Sequence, residues 1–107
     1  MTSVGRIATA MVCVLPVVVL ADEPTEGRRQ ELMHLLKQDC GSCHGLTMKG
    51  GLGPPLVPDV LANKDDLILI EAILHGRPGT PMPPRRTQLS AADAAWLVQA
   101  LRAGPPQ

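Results

Sequence analysis

The chain has 107 residues, with ten basic and ten acidic residues and a formal net charge of zero. This length predicts one small domain, and the neutral charge argues against a nucleic-acid-binding protein, which needs a basic surface. The chain contains one Trp and no Phe or Tyr. Because aromatic rings usually fill much of a protein core, we expect another group to fill most of the centre.

Residues 1–21 have the features of a secretory signal peptide. Arg6 supplies the positive charge, Ile7–Leu20 forms the apolar stretch, and a small residue ends the segment. The alternative is a transmembrane anchor, but this stretch is shorter than the roughly 20 apolar residues that span a bilayer, and it contains Pro16. We therefore expect an exported protein whose mature domain comprises residues 22–107 and has no membrane anchor.

The first element of the mature chain is a predicted helix over Gln30–Asp39, with Thr25 as its candidate N-cap. Three leucines are spaced so that they share one face of this helix: Leu32, Leu35 and Leu36. The segment Gly45–Pro58 is rich in glycine and proline, which break regular structure. It is predicted to be a loop.

A second helix is predicted after this loop. Asn63 is its candidate N-cap, with Asp66 three residues later in the capping-box position. The stretch Leu67–Leu74 is apolar on most sides, so we expect this helix to be well buried. A second Gly/Pro-rich loop follows at Arg77–Pro84.

The last helix begins after Ser90, which forms a capping-box pattern with Asp93, and it is predicted to run to about Ala103. No segment of the chain shows the sustained alternation that indicates a β-strand. The predicted fold class is therefore all-α, with three main helices joined by long Gly/Pro loops.

The residues Cys40–His44 have the pattern C-x-x-C-H. Two cysteines at this spacing can form thioether bonds to one haem, and the next residue, His44, can then ligate its iron. A thioredoxin-like pair is disfavoured because this motif follows a helix in a chain without strands. A zinc site would need a fourth ligand such as His34 or His75, and a bare disulfide would leave His44 without a role. The motif therefore predicts one covalently attached haem c.

A second axial ligand can come from several side chains: Met33, Met48, Met82, His34 and His75. Met33 and His34 precede the motif on its helix, and Met48 follows His44 too closely to reach the opposite face of the ring. Met82 lies among prolines that stiffen its loop, so it is poorly suited to be a simple core residue. We predict that Met82 is the ligand, with His75 as the alternative.

With these motifs the chain resembles the class I c-type cytochromes, over nearly all of its mature length. The resemblance includes the helix ending in Cys40–His44, the loop Gly53–Leu56, the Met82 loop and the C-terminal helix. It implies the class I cytochrome c fold around one covalent haem. It also implies that the Pro54 carbonyl accepts a hydrogen bond from the proximal imidazole of His44. In a haem-free chain we expect an apolar cavity between His44 and Met82.

The chain further resembles the small cytochrome c55X proteins of denitrifying bacteria, in the sequence CGSCHGLTMKGGLGPPL at residues 40–56 and in ILHGRPGTPMPP at residues 73–84. This resemblance implies a periplasmic one-electron carrier, not an enzyme, that serves cytochrome cd1 nitrite reductase. One alternative is an accessory factor in d1 haem insertion or in maturation of that reductase. Another is a haem enzyme or sensor with an open sixth site. A basic rim for docking is a further hypothesis, drawn on Lys49, Arg77, Arg85 and Arg86.

Overall fold

The computed structural model describes residues 2–16 and 23–104. Residues 2–16 have no regular secondary structure, and the expected cleavage point after Ala21 lies outside the described residues. Within the described residues no helix is both long enough and apolar enough to cross a bilayer. All regular elements of the described chain are helical, as the sequence predicted.

The N-terminal helix is longer than predicted. Helix α1 spans Glu26–Leu35, and the Thr25 side chain accepts a hydrogen bond from the Arg28 backbone N–H at 3.2 Å, which confirms Thr25 as its cap. A π-helical turn, Leu36–Cys40, follows, and helix α2, Gly41–His44, completes the continuous segment. A π-turn inserts one extra residue into a helix, and such turns are frequent at functional sites. Apolar periodicity could not reveal the first turn of α1, because its residues are mostly polar.

The middle of the chain forms two helices. The short helix α3, Pro58–Leu61, lies at the end of the predicted loop, and helix α4 spans Asp66–His75. The predicted N-cap Asn63 is wrong, because Asp65 occupies that position and makes no side-chain capping bond. The Arg102 guanidinium compensates by holding the start of α4, donating at 2.8 Å to Asp66 Oδ1 and at 2.6 Å to the Lys64 carbonyl.

Helix α4 is less buried than its composition predicted. Leu74 is buried in the core, but Leu67 and Ile68 are 73% and 60% exposed. An apolar helix can place only one face against its neighbour, and α4 packs along helix α5, Ala91–Ala103. The other face of α4 remains at the surface.

Helix α5 begins with the predicted capping box, formed by Ser90 and Asp93. The Arg28 guanidinium donates to Asp93 Oδ2 at 2.9 Å and so joins α1 to the start of α5. This hydrogen bond is the main reason that the pKa of Asp93 is lowered, and burial of the carboxyl opposes it. The same bond raises the pKa of Arg28, with Glu31 contributing further. The ion pair therefore connects the two ends of the domain.

Leucine supplies most of the core. Leu32 and Leu36 of the N-terminal segment pack in one cluster with side chains of α4 and α5. Trp96, the only aromatic side chain, is only partly buried against this cluster. The cluster's buried members are Leu32, Leu36, Met48, Leu61, Leu74, Leu89, Ala94, Leu97 and Leu101.

Candidate haem site

The C-x-x-C-H motif occupies the end of the N-terminal helical segment. Cys40 ends the π-turn, and Cys43 and His44 belong to α2, which Gly45 ends with a positive φ of 92°. Neither cysteine is in a disulfide; Cys40 is half-buried and Cys43 is exposed. Burial raises the pKa of the Cys40 thiol, and the positive charge of Arg85 partly opposes this. The two thiols lie three residues apart on one helical segment, as attachment to one flat ring requires.

His44 is buried and is oriented by a contact across the following loop. Its Nδ1 atom lies 2.8 Å from the carbonyl oxygen of Pro54. Because a carbonyl oxygen can only accept, Nδ1 carries the proton and the lone pair is on Nε2. Among the described residues Nε2 has no hydrogen-bond partner. This tautomer suits coordination of a metal through Nε2.

The loop after His44 approaches the imidazole so closely that only glycine fits at one position. A Cβ added to Gly53 would lie 2.8 Å from His44 Nδ1, which is shorter than any normal contact. Two backbone bonds hold this loop to the motif: Gly50 N–H donates to the His44 carbonyl and Gly53 N–H donates to the Cys43 carbonyl, each at 2.8 Å. The glycines predicted simply as helix breakers therefore allow the loop to cover the proximal ring.

Met48 was not predicted to have a structural role. It is fully buried and has a φ of 59°, a conformation that is uncommon for residues other than glycine. Its carbonyl accepts a hydrogen bond from Leu56 N–H at 2.8 Å. Met48 therefore anchors the loop to the core, and no local pattern in the sequence indicated this.

The Met82 loop is closed at both ends. At its start, Gly76 has a φ of 69°, and a Cβ there would lie 2.6 Å from the Met82 carbonyl oxygen. The Arg77 N–H donates to that same carbonyl at 3.3 Å. At its end, Arg85 N–H donates to the carbonyls of Ile73 and Leu74 at 3.1 and 3.0 Å. Met82, which is half-buried, is thus held on a constrained loop against the end of α4.

The Arg85 side chain joins this loop to the segment that carries the C-x-x-C-H motif. Its Nη1 atom lies 3.4 Å from Asp39 Oδ2 and donates to Gln88 Oε1 at 3.1 Å. Asp39 directly precedes Cys40 in the chain. Arg85 is therefore engaged within the molecule, which removes it from the basic rim considered above; Lys49, Arg77 and Arg86 remain exposed.

His75, the alternative ligand, lies on the outer surface of α4. Its side chain is 49% exposed, and its Nε2 atom lies 3.5 Å from a carboxylate oxygen of Glu71. Both residues line a groove of about 630 Å³ between α4 and the segment 76–80. Neither His44 nor Met82 lines this groove, so it is not the cavity expected between those two side chains.

The donor set fits a haem and gives no support to a zinc site. Within residues 2–16 and 23–104, no group of three or more His, Cys, Asp or Glu side chains is arranged to hold a metal ion. Two thiols and an imidazole with a free Nε2 on one helical segment are instead the groups that a c-type haem needs.

Comparison with known proteins supports this interpretation. A family model described as "Cytochrome C oxidase, cbb3-type, subunit III" matches residues 27–99. A cytochrome c55X from Pseudomonas aeruginosa is 52% identical over 92% of this chain and 83% of its own length. A cytochrome c55X from Stutzerimonas stutzeri is 51% identical over 82% of this chain and 78% of its own.

Two solved structures are also similar. One is described as "c-type cytochrome NirC"; it has a TM-score of 0.74 and 54% identity, and the match covers 75% of this chain and 94% of that one. The other is described as "Dihydro-heme d1 dehydrogenase NirN in complex with DHE"; it has a TM-score of 0.62 and 42% identity. That match covers 69% of this chain but only 16% of the larger protein.

The c-type cytochromes among these relatives define a class of haem proteins that carry electrons. The chain belongs to the class I c-type cytochromes, and within them to the cytochrome c55X family of the nitrite reductase gene cluster. Membership of this class implies a haem c cofactor.

Proposed function

We propose that this protein is a periplasmic one-electron carrier with a single covalent haem, and that it delivers electrons to cytochrome cd1 nitrite reductase. In this proposal residues 1–21 are removed on export and residues 22–107 form the functional domain. The observation that carries the proposal is the 2.8 Å contact between His44 Nδ1 and the Pro54 carbonyl, next to two free cysteines. This is the arrangement that an iron-ligating histidine needs.

When bound, haem c supplies a reversible one-electron couple between Fe(II) and Fe(III). Cys40 and Cys43 would hold the ring through thioethers, and His44 would present the Nε2 lone pair to the iron. The Pro54 carbonyl accepts a hydrogen bond from Nδ1–H, which keeps the imidazole in this tautomer and makes Nε2 a stronger electron-pair donor to a metal. Met82 would supply a thioether as the second axial ligand, which favours the reduced state and raises the reduction potential.

The backbone around these groups supports electron transfer without rearrangement. The proximal loop is bonded to His44 and Cys43, and the Met82 loop is bonded to α4 at both ends. The Arg85–Asp39 contact joins the two halves of the site. A framework of this kind would hold Cys43, His44 and Met82 in place around a bound haem, and such preorganisation suits rapid electron transfer.

The visible spectrum of the purified, exported protein tests this proposal. We expect a low-spin haem that acid and organic solvent cannot extract, with the ferric charge-transfer band of methionine ligation. A high-spin ferric spectrum without that band would instead support an open sixth site. Rapid mixing of the reduced protein with cytochrome cd1 nitrite reductase should then oxidise it, with nitrite as the final acceptor.

A second candidate function is a role in maturation of the d1 haem. It is favoured by the similarity to a protein named dihydro-heme d1 dehydrogenase, 42% identical over 73 residues. Deleting the gene distinguishes the candidates: loss of d1 haem from the reductase supports maturation, whereas normal d1 content with slow nitrite reduction supports electron delivery.

A further inference from the structure

The Met82 loop runs directly into a tight turn formed by residues 85–89, which we call the anchor turn. Within it, two backbone N–H groups donate to the Arg85 carbonyl at 3.0 and 2.9 Å, and the Leu89 side chain is buried in the core. Only two residues, both of them proline, separate Met82 from Arg85. Because proline fixes its φ angle, this short connection has little freedom, and a displacement of Arg85 carries over to Met82.

Two arginine side chains hold the anchor turn against the N-terminal helical segment. The Arg28 guanidinium of α1 donates to the Gln88 carbonyl at 2.9 Å. The Arg85 guanidinium donates through Nη1 to Gln88 Oε1 at 3.1 Å and to Asp39 Oδ2 at 3.4 Å. Arg85 therefore links the anchor turn to the π-helical turn that ends at Cys40.

Asp39 lies where a contact matters for the position of the haem. It directly precedes Cys40, and its own carbonyl accepts a hydrogen bond from Ser42 Oγ at 2.7 Å. A haem attached through Cys40 would be fixed to this segment. The contact between Arg85 and Asp39 therefore ties the loop that carries Met82 to the segment that would carry the ring.

The exposure of this ion pair determines what it can stabilise. The side chains of Arg85 and Asp39 are 26% and 48% exposed. Ion pairs as exposed as this one contribute little to the overall free energy of unfolding. The fold depends instead on the buried leucine cluster, which contains neither residue. An effect of the pair should therefore appear in a local opening of the Met82 loop, which costs less free energy than unfolding of the whole domain.

We propose that Arg85 is a positioning residue for Met82: through Asp39 and Gln88 its side chain keeps the loop closed and so sets how often the methionine leaves the iron. The inference rests on the proposed function, in which Met82 is the second axial ligand. An open loop exposes the sixth site to small ligands, whereas a closed loop keeps the haem low-spin and suited to electron transfer. Arg85 thus favours the electron carrier over an open-site form of the same chain.

The test is the binding of cyanide to the ferric, haem-loaded protein, followed by loss of the methionine charge-transfer band. Cyanide can bind only after the Met82 thioether has left the iron, so the rate at saturating cyanide reports opening of the loop. R85Q should raise this limiting rate about threefold to tenfold, the size expected for loss of a partly exposed, charged hydrogen bond. R85K keeps the charge but lacks the planar fork of donors, so it should give a smaller increase.

K37Q is the matched control for the loss of one positive charge. Lys37 is exposed, lies two residues before Asp39 on the same π-helical turn, and makes no side-chain hydrogen bond or ion pair within residues 23–104. K37Q should leave the limiting rate unchanged. D39N should raise the rate in the same direction as R85Q, and the double variant R85Q/D39N should differ little from R85Q, because both changes remove the same contact.

Unfolding by denaturant, followed by the circular dichroism of the helices, separates positioning from general stability. We expect R85Q to unfold at nearly the same denaturant concentration as the unsubstituted protein while it binds cyanide faster. Unchanged limiting rates in R85Q and D39N, an equal increase in K37Q, or effects of R85Q and D39N that add fully overturn the inference. So does a loss of overall stability large enough to account for the faster rate. If R85Q does not retain haem, R85K and D39N supply the same comparison.

The same spectra keep this inference distinct from the proposed function. If the unsubstituted protein shows the band of methionine ligation and R85Q does not change the limiting rate, the role of Arg85 alone is overturned. If the unsubstituted protein lacks the band, Met82 is not the ligand, and the inference fails together with that part of the proposed function.

Discussion

The Nδ1 atom of His44 and the carbonyl oxygen of Pro54 lie 2.8 Å apart, and the loop that connects them leaves no space for a side chain at Gly53. G53A should therefore displace either the imidazole or the Pro54 carbonyl, at a cost of about 1–3 kcal/mol in the free energy of unfolding. A weaker hydrogen bond makes His44 a poorer donor, so the reduction potential should rise. Redox titration and denaturant unfolding of the haem-loaded protein measure both effects.

G27A is the control for that substitution. Gly27 lies in α1 with nothing within 4 Å of an added Cβ. Alanine should raise helix stability by about 0.5–1 kcal/mol and leave the potential unchanged. If G53A behaved like G27A, the close approach to His44 would have no functional consequence.

The two candidate ligands, Met82 and His75, lead to opposite predictions for the ferric spectrum of their alanine variants. M82A should abolish the ferric charge-transfer band and lower the reduction potential, because a methionine ligand raises it. H75A should change neither, since the His75 side chain is 49% exposed and pairs with Glu71. Absence of the band from the unsubstituted protein, with a low-spin spectrum that H75A but not M82A converts to high-spin, would reverse the assignment. Visible spectroscopy of the two ferric variants decides between them.

Replacing Cys40 and Cys43 one at a time, and then together, should reduce covalent haem attachment in steps. C40S and C43S should each keep one thioether, and the double variant should keep none after denaturation. C13S should have no effect, because Cys13 lies in the segment expected to be removed. Haem staining of denaturing gels and the intact mass of the exported protein measure attachment. That mass should correspond to a chain beginning at Asp22 with one haem; a mass that includes Cys13 would contradict the proposed domain boundary.

The Arg28–Asp93 pair predicts a dependence of stability on pH. The pKa of Asp93 is lowered in the folded protein, chiefly by the Arg28 hydrogen bond. The contribution of Asp93 to the free energy of unfolding is therefore complete above its unfolded-state pKa of about 4. This contribution is lost as the pH falls through the folded-state pKa. D93N should cost about 1–2 kcal/mol at pH 7, and the difference from the unsubstituted protein should shrink below about pH 4.

D59N serves as the control for this prediction. Asp59 is exposed and forms no ion pair within the described residues, so its replacement should change unfolding little at either pH. Thermal unfolding at pH 7 and pH 3 measures both variants. A pH-independent loss in D93N would mean that the negative charge of Asp93 contributes nothing to stability, which contradicts the prediction.

The all-α class and the helix caps at Thr25 and Ser90 could be predicted from the sequence, because each depends on neighbours within a few residues. The exposed face of α4 could not be predicted from the sequence. Leu67 and Ile68 are as apolar as the buried residues of α4, so the sequence does not separate them. The face with which α4 packs on α5 decides which of its apolar side chains are buried. The Asn63 cap failed for a related reason: Asp65 and the distant Arg102 organise the start of α4 together.

The predicted chemistry of this protein follows from its local sequence. The spacing of Cys40, Cys43 and His44 predicts a haem-binding turn, since those three side chains are neighbours in any helix. How that turn is held depends on the three-dimensional fold. The contact between Met48 and Leu56, the close approach of Gly53 to His44, and the link from Arg85 to Asp39 join residues that are separated along the chain. Such contacts follow from how loops fold back over a helix, and local propensity carries no information about that path.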